Sequence, residues 1–253
     1  MTKLSLLIKC LEGETEASIK QQFLLWNERV LPTLENNIKN GNSLIDTDYY
    51  ENQLDFGEEK RIKPFNWQKS FPEVFKDGGF HVVIGNPPYL KERGNREIFE
   101  PVLNSRLGKI YHQGKMDFWY YFLHKGIDVL KRSGYLGFIT NSYWMKSDGA
   151  AKLIDRIALE LTIDNIVNFD NYKVFEDVTG KHNIAIFIKG KNTNHPCNIL
   201  TINPDNPSSN IKDYIHEKIL NKDIIEYNED GFHYTRLISG EPHEKILIGN
   251  IGF

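Results

Sequence analysis

Short unbroken apolar runs alternate with helical periodicity along most of this chain. Phe80-His81-Val82-Val83-Ile84-Gly85 and Tyr135 to Thr140 read as strands, the first of them as a buried parallel strand, and Ile166 to Asp170 and Asn183 to Ile188 are further apolar runs. Leu123, Ile127, Val129 and Leu130 lie on one face of an amphipathic helix ended by Ser133-Gly134. Leu153, Ile157 and Leu161 mark a second helix over Lys146 to Leu161. Upstream, Ile19, Phe23, Leu24, Trp26 and Val30 follow helical spacing from Glu14 or Thr15 until Pro32 interrupts, and Ile38 to Ser43 reads as a short strand with its polar loop. Strands alternating with helices predict an α/β fold. Asp46 to Phe75 lacks clear periodicity and reads as a loop-rich insertion with Phe65, Trp67, Phe71 and Phe75 packed down. Asn192 to Asn210, with three prolines among Asn, Asp and Ser, reads as a linker. A short helix over Ile211 to Leu220 and one or two strands around Phe232 to Leu237 follow it, so the main domain is expected to span residues 1–190.

The most informative chemistry follows the first clear strand, at Asn86-Pro87-Pro88-Tyr89. Two prolines cannot extend a β ladder, so they end the strand and hold its last carbonyls rigidly outward. In an open α/β sheet, that carboxyl edge is where ligands bind. Asn86 offers a side-chain carbonyl, Pro87 a backbone carbonyl and Tyr89 a flat face, which together suit a planar group carrying an NH2. The lone pair of such an amine is delocalised into its ring. Two fixed acceptors that draw its hydrogens out of plane restore nucleophilicity by placement and oriented dipoles, without a strong base.

These residues resemble the catalytic motif of S-adenosylmethionine-dependent amino-methyltransferases, Asn/Asp-Pro-Pro-Tyr/Phe. The following segments are Lys115 to Phe122 with its helix, the strand from Tyr135, the aromatic loop Asn141-Ser142-Tyr143-Trp144-Met145, Lys173 to Thr179 and the strand from Asn183. Their order is similar to that of adenine-specific (N6) DNA methyltransferases, especially those of type IIG restriction-modification enzymes, across roughly Lys3 to Gly190. The resemblance implies that Asn86 and Pro87 accept the adenine N6 hydrogens. It makes Tyr89 and Phe175 base-stacking residues on an adenine flipped out of the duplex. It assigns Phe122, Asn42 and Ser43 to the adenine end of S-adenosylmethionine.

One departure from the family pattern matters. Its donor-binding aromatic-x-Gly-x-Gly loop and the acidic residue after the second strand should both precede these segments, and neither is found. Leu4 to Leu11 resembles the helix after that second strand. The expectation is therefore a partial Rossmann-like methyltransferase sheet lacking its first two strands, with the Val82 strand at an open sheet edge. Residues 1–190 would be the carboxyl-proximal part of the methyltransferase domain, and residues 191–253 a linker and the start of a further region. The expected function is site-specific DNA adenine N6 methylation by a truncated or split chain. The alternatives are an inactive remnant or non-catalytic subunit needing an amino-terminal partner, and methylation of RNA or of protein glutamine. Self-association is the other route to covering the open edge.

Composition changes this picture only slightly. A 40% hydrophobic content over 253 residues is enough for a sizeable core. The net charge of −3 is unusual for a self-sufficient DNA binder, so phosphate contacts require a local basic face or a separate recognition domain. Lys91, Arg93, Arg96, Arg106, Lys109 and Lys115, with Tyr111 and His112 interleaved, supply the candidate. Cys10 and Cys197 lie far apart without ligand spacing, and the histidines are scattered, so neither a disulfide nor a metal site is expected. No leader or membrane-length apolar run appears, which points to the cytoplasm.

Overall fold

The computed structural model describes residues 5, 6, 9, 34–51, 59–170, 172–176, 180–202, 226–229 and 232–237. The chain divides into two compact units, residues 1–41 and 42–253. In the first, Ser5, Leu6 and Lys9 are helical and Leu34 to Asn37 form a turn; the helical run through Val30 lies outside the described residues. The expected strand at Ile38 to Ser43 does not form. Ile38 to Asn40 lack regular structure, and Asn42 makes only an isolated bridge to Pro64. Proline has no N–H with which to extend such a ladder.

In the second unit a single seven-stranded sheet organises everything else. Its strands are β1 (Phe80–Gly85), β2 (Leu130–Asn141), β3 (Leu161–Asn168), β4 (His182–Lys189), β5 (Cys197–Ile202), β6 (Glu226–Glu229) and β7 (Phe232–Leu237). Their spatial order is β1-β2-β4-β3-β5-β7-β6. β1 runs parallel to β2 and β3 parallel to β5, whereas β4 is antiparallel to both of its neighbours. This is a mixed sheet with helices in the connections, as expected for an α/β fold. Among the described residues no strand precedes β1, which lies at the sheet edge.

The position of β1 corrects its reading as a buried strand. Its parallel pairing is as expected, but Val82 is 56% and Ile84 79% exposed because β2 is its one neighbour among the described residues. β3, by contrast, is flanked on both sides and buried at every residue but Asp164.

Of the helices, α1 (Glu59–Ile62), α2 (Trp67–Ser70) and α3 (Pro72–Lys76) are short and precede β1. Around them Phe65, Trp67, Phe71 and Phe75 do pack down. Trp67, Phe71 and Phe75 meet the Phe80 ring at centroid distances of 5.6, 5.4 and 5.8 Å. α4 (Arg96–Asn104), α5 (Arg106–Tyr111) and α6 (Trp119–Val129) lie between β1 and β2, and α7 (Ala151–Glu160) precedes β3.

α6 is less amphipathic than its spacing suggests: Trp119, Tyr120, Tyr121 and Ile127 are all fully buried. Burying an apolar side chain of that size contributes about 1.5–3 kcal/mol, so this helix anchors the core. It approaches the sheet closely at Gly126, where a Cβ would lie 2.7 Å from Leu136 Cδ1. It ends at Val129 rather than at Ser133-Gly134, because Leu130 is already extended and paired with Phe80. Pairing resumes at Val82 with Tyr135, so Lys131 to Gly134 form an excursion in which Ser133 adopts a positive φ of 61°.

The linker reading gives way at Cys197–Ile202, which is β5, with Cys197, Ile199, Leu200 and Ile202 buried. The sheet thus continues past residue 190, and β7 coincides with the strand expected around Phe232. The helix expected at Ile211 to Leu220 lies outside the described residues.

Candidate active site

β1 delivers its last residue against the β2 ring of Phe138. A Cβ at Gly85 would lie 2.7 Å from that ring, so glycine lets the strand finish flush with its neighbour. The Asn86-Pro87-Pro88-Tyr89 loop then leaves the carboxyl edge, with Asn86 exposed, Pro87 buried and Tyr89 half-buried. Downstream, two backbone hydrogen bonds pin the chain: Phe118 N donates to Leu90 O at 2.7 Å, and Glu92 N to Met116 O at 3.3 Å.

Tyr89 ties this loop to β2. Its hydroxyl lies 3.0 Å from both the Ile139 carbonyl oxygen and Asn86 Oδ1. With one proton, it donates to one acceptor at a time. Donation to Ile139 leaves Asn86 Oδ1 free to accept from something else. Burial pushes the Tyr89 phenol up to about 12, so it remains protonated near neutral pH and is no base there.

Three rings gather beside the loop. The Tyr89 ring lies 5.4 Å from that of His182 and 6.5 Å from that of Phe175, and Phe175 meets His182 edge-on at 5.3 Å. His182 opens β4 opposite Asn141 and is 1% exposed. Neither ring nitrogen reaches hydrogen-bond geometry with a partner among the described residues. Burial lowers its pKa, opposed in part by the nearby Gly180 backbone, so the imidazole is neutral and behaves as a flat wall. Nothing in the sequence distinguished this histidine from the others, because its role depends on the β4 register.

On the β1 side of Asn86 runs a groove of about 490 Å³, whose lining includes Ser43, Trp67, Ile84, Asn86, Pro87 and Phe122. It is mainly apolar, and no carboxylate is among its described lining residues. Thus Asn86, Pro87, Ser43 and Phe122 come together, while Tyr89 and Phe175 meet at the ring cluster. Asn42 does not line this groove. Its Oδ1 accepts from Leu44 N at 3.2 Å, and its backbone N–H donates to Lys63 O at 2.7 Å. Asn86 is the residue shared by groove and ring cluster. No group of His, Cys, Asp and Glu suited to a metal occurs among the described residues.

Residues 1–175 match the family described as Eco57I restriction-modification methylase. The chain belongs to that family. It is 30% identical over 191 residues to the type II restriction enzyme and methyltransferase RM.Eco57I of Escherichia coli, covering 74% of this chain and 17% of that protein. It is also 30% identical over 145 residues to the type II methyltransferase M.HincII of Haemophilus influenzae, covering 57% of this chain and 29% of that one. This Eco57I-family chain therefore spans less than a third of either relative. The solved type IIG restriction endonuclease BpuSI aligns with a TM-score of 0.47 at 15% identity, over 68% of this chain and 21% of that one.

Proposed function

We propose that this chain carries the amine-activating loop of a DNA adenine N6-methyltransferase that uses S-adenosylmethionine and works in the cytoplasm. The observation that carries the reading is the place of Asn86, at the open end of β1 between a ring cluster and an apolar groove. Asn86 Oδ1 and the Pro87 carbonyl accept the two N6 hydrogens and localise the lone pair on nitrogen as it attacks. Tyr89 stacks on the extruded base, its proton turned to Ile139 so that Asn86 is available. Phe175 closes the other side or edge. Tyr89 and Phe175 are already in tilted contact, so entry of a base separates them.

The groove suits the adenine end of the donor. Phe122 supplies a face for it and Ser43 a polar edge. When bound, the donor supplies an electrophilic methyl carbon. No carboxylate is among the described lining residues of this groove. The exposed edge of β1 is completed by an amino-terminal partner or by a second copy of the chain. An unpaired apolar strand edge recruits such a neighbour.

The substrate class is tested by incubating the chain with methyl-labelled donor and, in parallel, DNA, RNA or protein, then separating the digested nucleosides and amino acids. Label in N6-methyldeoxyadenosine is expected. Label confined to N4-methyldeoxycytidine, to RNA or to protein glutamine would overturn the assignment.

A further inference from the structure

The six cations that follow the catalytic loop in sequence do not form one surface. Lys91, Arg93, Arg96 and Lys115 line a single cleft of about 650 Å³. Arg106 instead lines a separate cavity with Asp46, Asp48, Glu51 and Asp128, and Lys109 lines neither.

The cleft is a firmly held part of the structure. Lys91 pairs with Asp117 in an isolated antiparallel bridge, next to the Leu90–Phe118 and Glu92–Met116 hydrogen bonds. Of its two carboxylates, Asp117 is buried and already hydrogen-bonded. Asp117 is 5% exposed and accepts from Trp119 Nε1 at 3.2 Å and from the Tyr143 hydroxyl. Glu92 lies 3.7 Å from His112 Nε2. The cations are more available. Arg93 and Arg96 are exposed and make no ion pair among the described residues, and Lys91 Nζ stands 5.7 Å over the Tyr143 ring. Lys115 Nζ reaches Asp148 at 3.9 Å, but both side chains are more than four-fifths exposed, so water screens that pair. In a chain of net charge −3 this is a local concentration of positive charge, and it begins two residues after Tyr89.

We infer that the cleft of Lys91, Arg93 and Arg96 seats backbone phosphates of the DNA strand carrying the extruded adenine. The inference rests on the reading of the Asn86 loop given above and names the surface that holds its substrate. Guanidinium forks match phosphate oxygens, and each neutralised phosphate releases counterions, so the contacts are counted by the salt dependence of binding. Phosphate contacts carry no sequence information. The cleft therefore sets the register of the strand relative to Tyr89 and leaves the recognition sequence to other residues.

The test is DNA affinity by fluorescence anisotropy from about 50 to 200 mM salt, the range over which such contacts are lost. Three variants of the full chain are compared with the unaltered protein. The Lys91→Gln/Arg93→Gln/Arg96→Gln variant should have a slope of log affinity against log salt that is shallower by about 2 to 3. Arg93→Gln alone, a surface change that leaves folding intact, should remove about 1. Arg106→Gln/Lys109→Gln, taken from the same stretch, should leave the slope unchanged. Equal effects per charge in the first and third variants, or an unchanged slope in the first, would overturn the cleft while leaving DNA as the substrate. Absence of salt-dependent binding by the unaltered chain would overturn the DNA reading itself, and the cleft with it.

Discussion

Replacing Tyr89 separates the work of its ring from that of its hydroxyl. Tyr89→Phe keeps the face that packs against His182 at 5.4 Å and removes the group 3.0 Å from Asn86 Oδ1 and Ile139 O. The lost hydrogen bond lowers stability by about 0.5–1.5 kcal/mol, because it ties the loop to β2. Base capture, which depends on the ring, should change by no more than about twofold, since Asn86 Oδ1 loses a competitor and the stacking face is intact. Tyr89→Ala removes the face as well. Stacking worth about 1–3 kcal/mol per base then disappears, a loss of roughly 5- to 150-fold in capture. DNA in which 2-aminopurine replaces adenine reports this as a fluorescence increase on titration. With its phenol held near 12 by burial, Tyr89 should also contribute no inflection to the pH profile near pH 10. Equal losses in the Phe and Ala variants would refute the reasoning, because the hydroxyl would then be the essential group.

Three further outcomes follow from groups elsewhere in the second unit and on the edge of β1. Arg156, 9% exposed, bonds the exposed carboxylates of Asp128 at 2.6 Å and Glu160 at 2.9 Å and the buried His124 carbonyl at 3.0 Å, so Arg156→Ala leaves that carbonyl without its donor and should lower stability in urea melts by about 1–3 kcal/mol. Burial, with Arg156 and Lys152 adding, pushes His124 down to about 3, whereas an unfolded histidine titrates near 6.5. Between those values the unfolded chain binds the proton and the native chain does not. Stability should therefore fall with decreasing pH from about 6.5, by up to about 1.4 kcal/mol per unit, and His124→Leu should flatten that limb in melts across pH. Ile84, being 79% exposed, gives up little burial when replaced, so Ile84→Lys should leave the melting temperature within a few degrees and reduce self-association in sedimentation velocity.

The motif and its strand were legible because two prolines after an apolar run leave few alternatives. The parallel pairing of β1 followed from the same run, and the aromatic packing of Phe65, Trp67, Phe71 and Phe75 from side chains too large to leave in water. What local pattern could not supply was lateral order. β5 was hidden by Pro196 and Pro204 at its flanks, although Cys197, Ile199, Leu200 and Ile202 are buried against neighbours distant in sequence. The end of α6 was misplaced because Phe80, some fifty residues away in the chain, captures Leu130 before Ser133-Gly134 is reached. His182 joins Tyr89 and Phe175 only through pairing of β4 with Asn141, which no spacing rule reports. The sorting of Lys91, Arg93 and Arg96 from Arg106 likewise depends on how α4 and α5 fold back.

The central claim is that Asn86 acts by orienting an amine in the transition state rather than by binding. Asn86→Ala, at an exposed loop position, should leave the fold and the affinities for DNA and donor within about threefold of the unaltered chain. Transfer of labelled methyl to DNA at saturating substrates should fall by about 100- to 1,000-fold, the loss typical of one oriented electrostatic partner. Near-normal transfer by this variant, or a loss that tracks weakened DNA binding alone, would contradict the account.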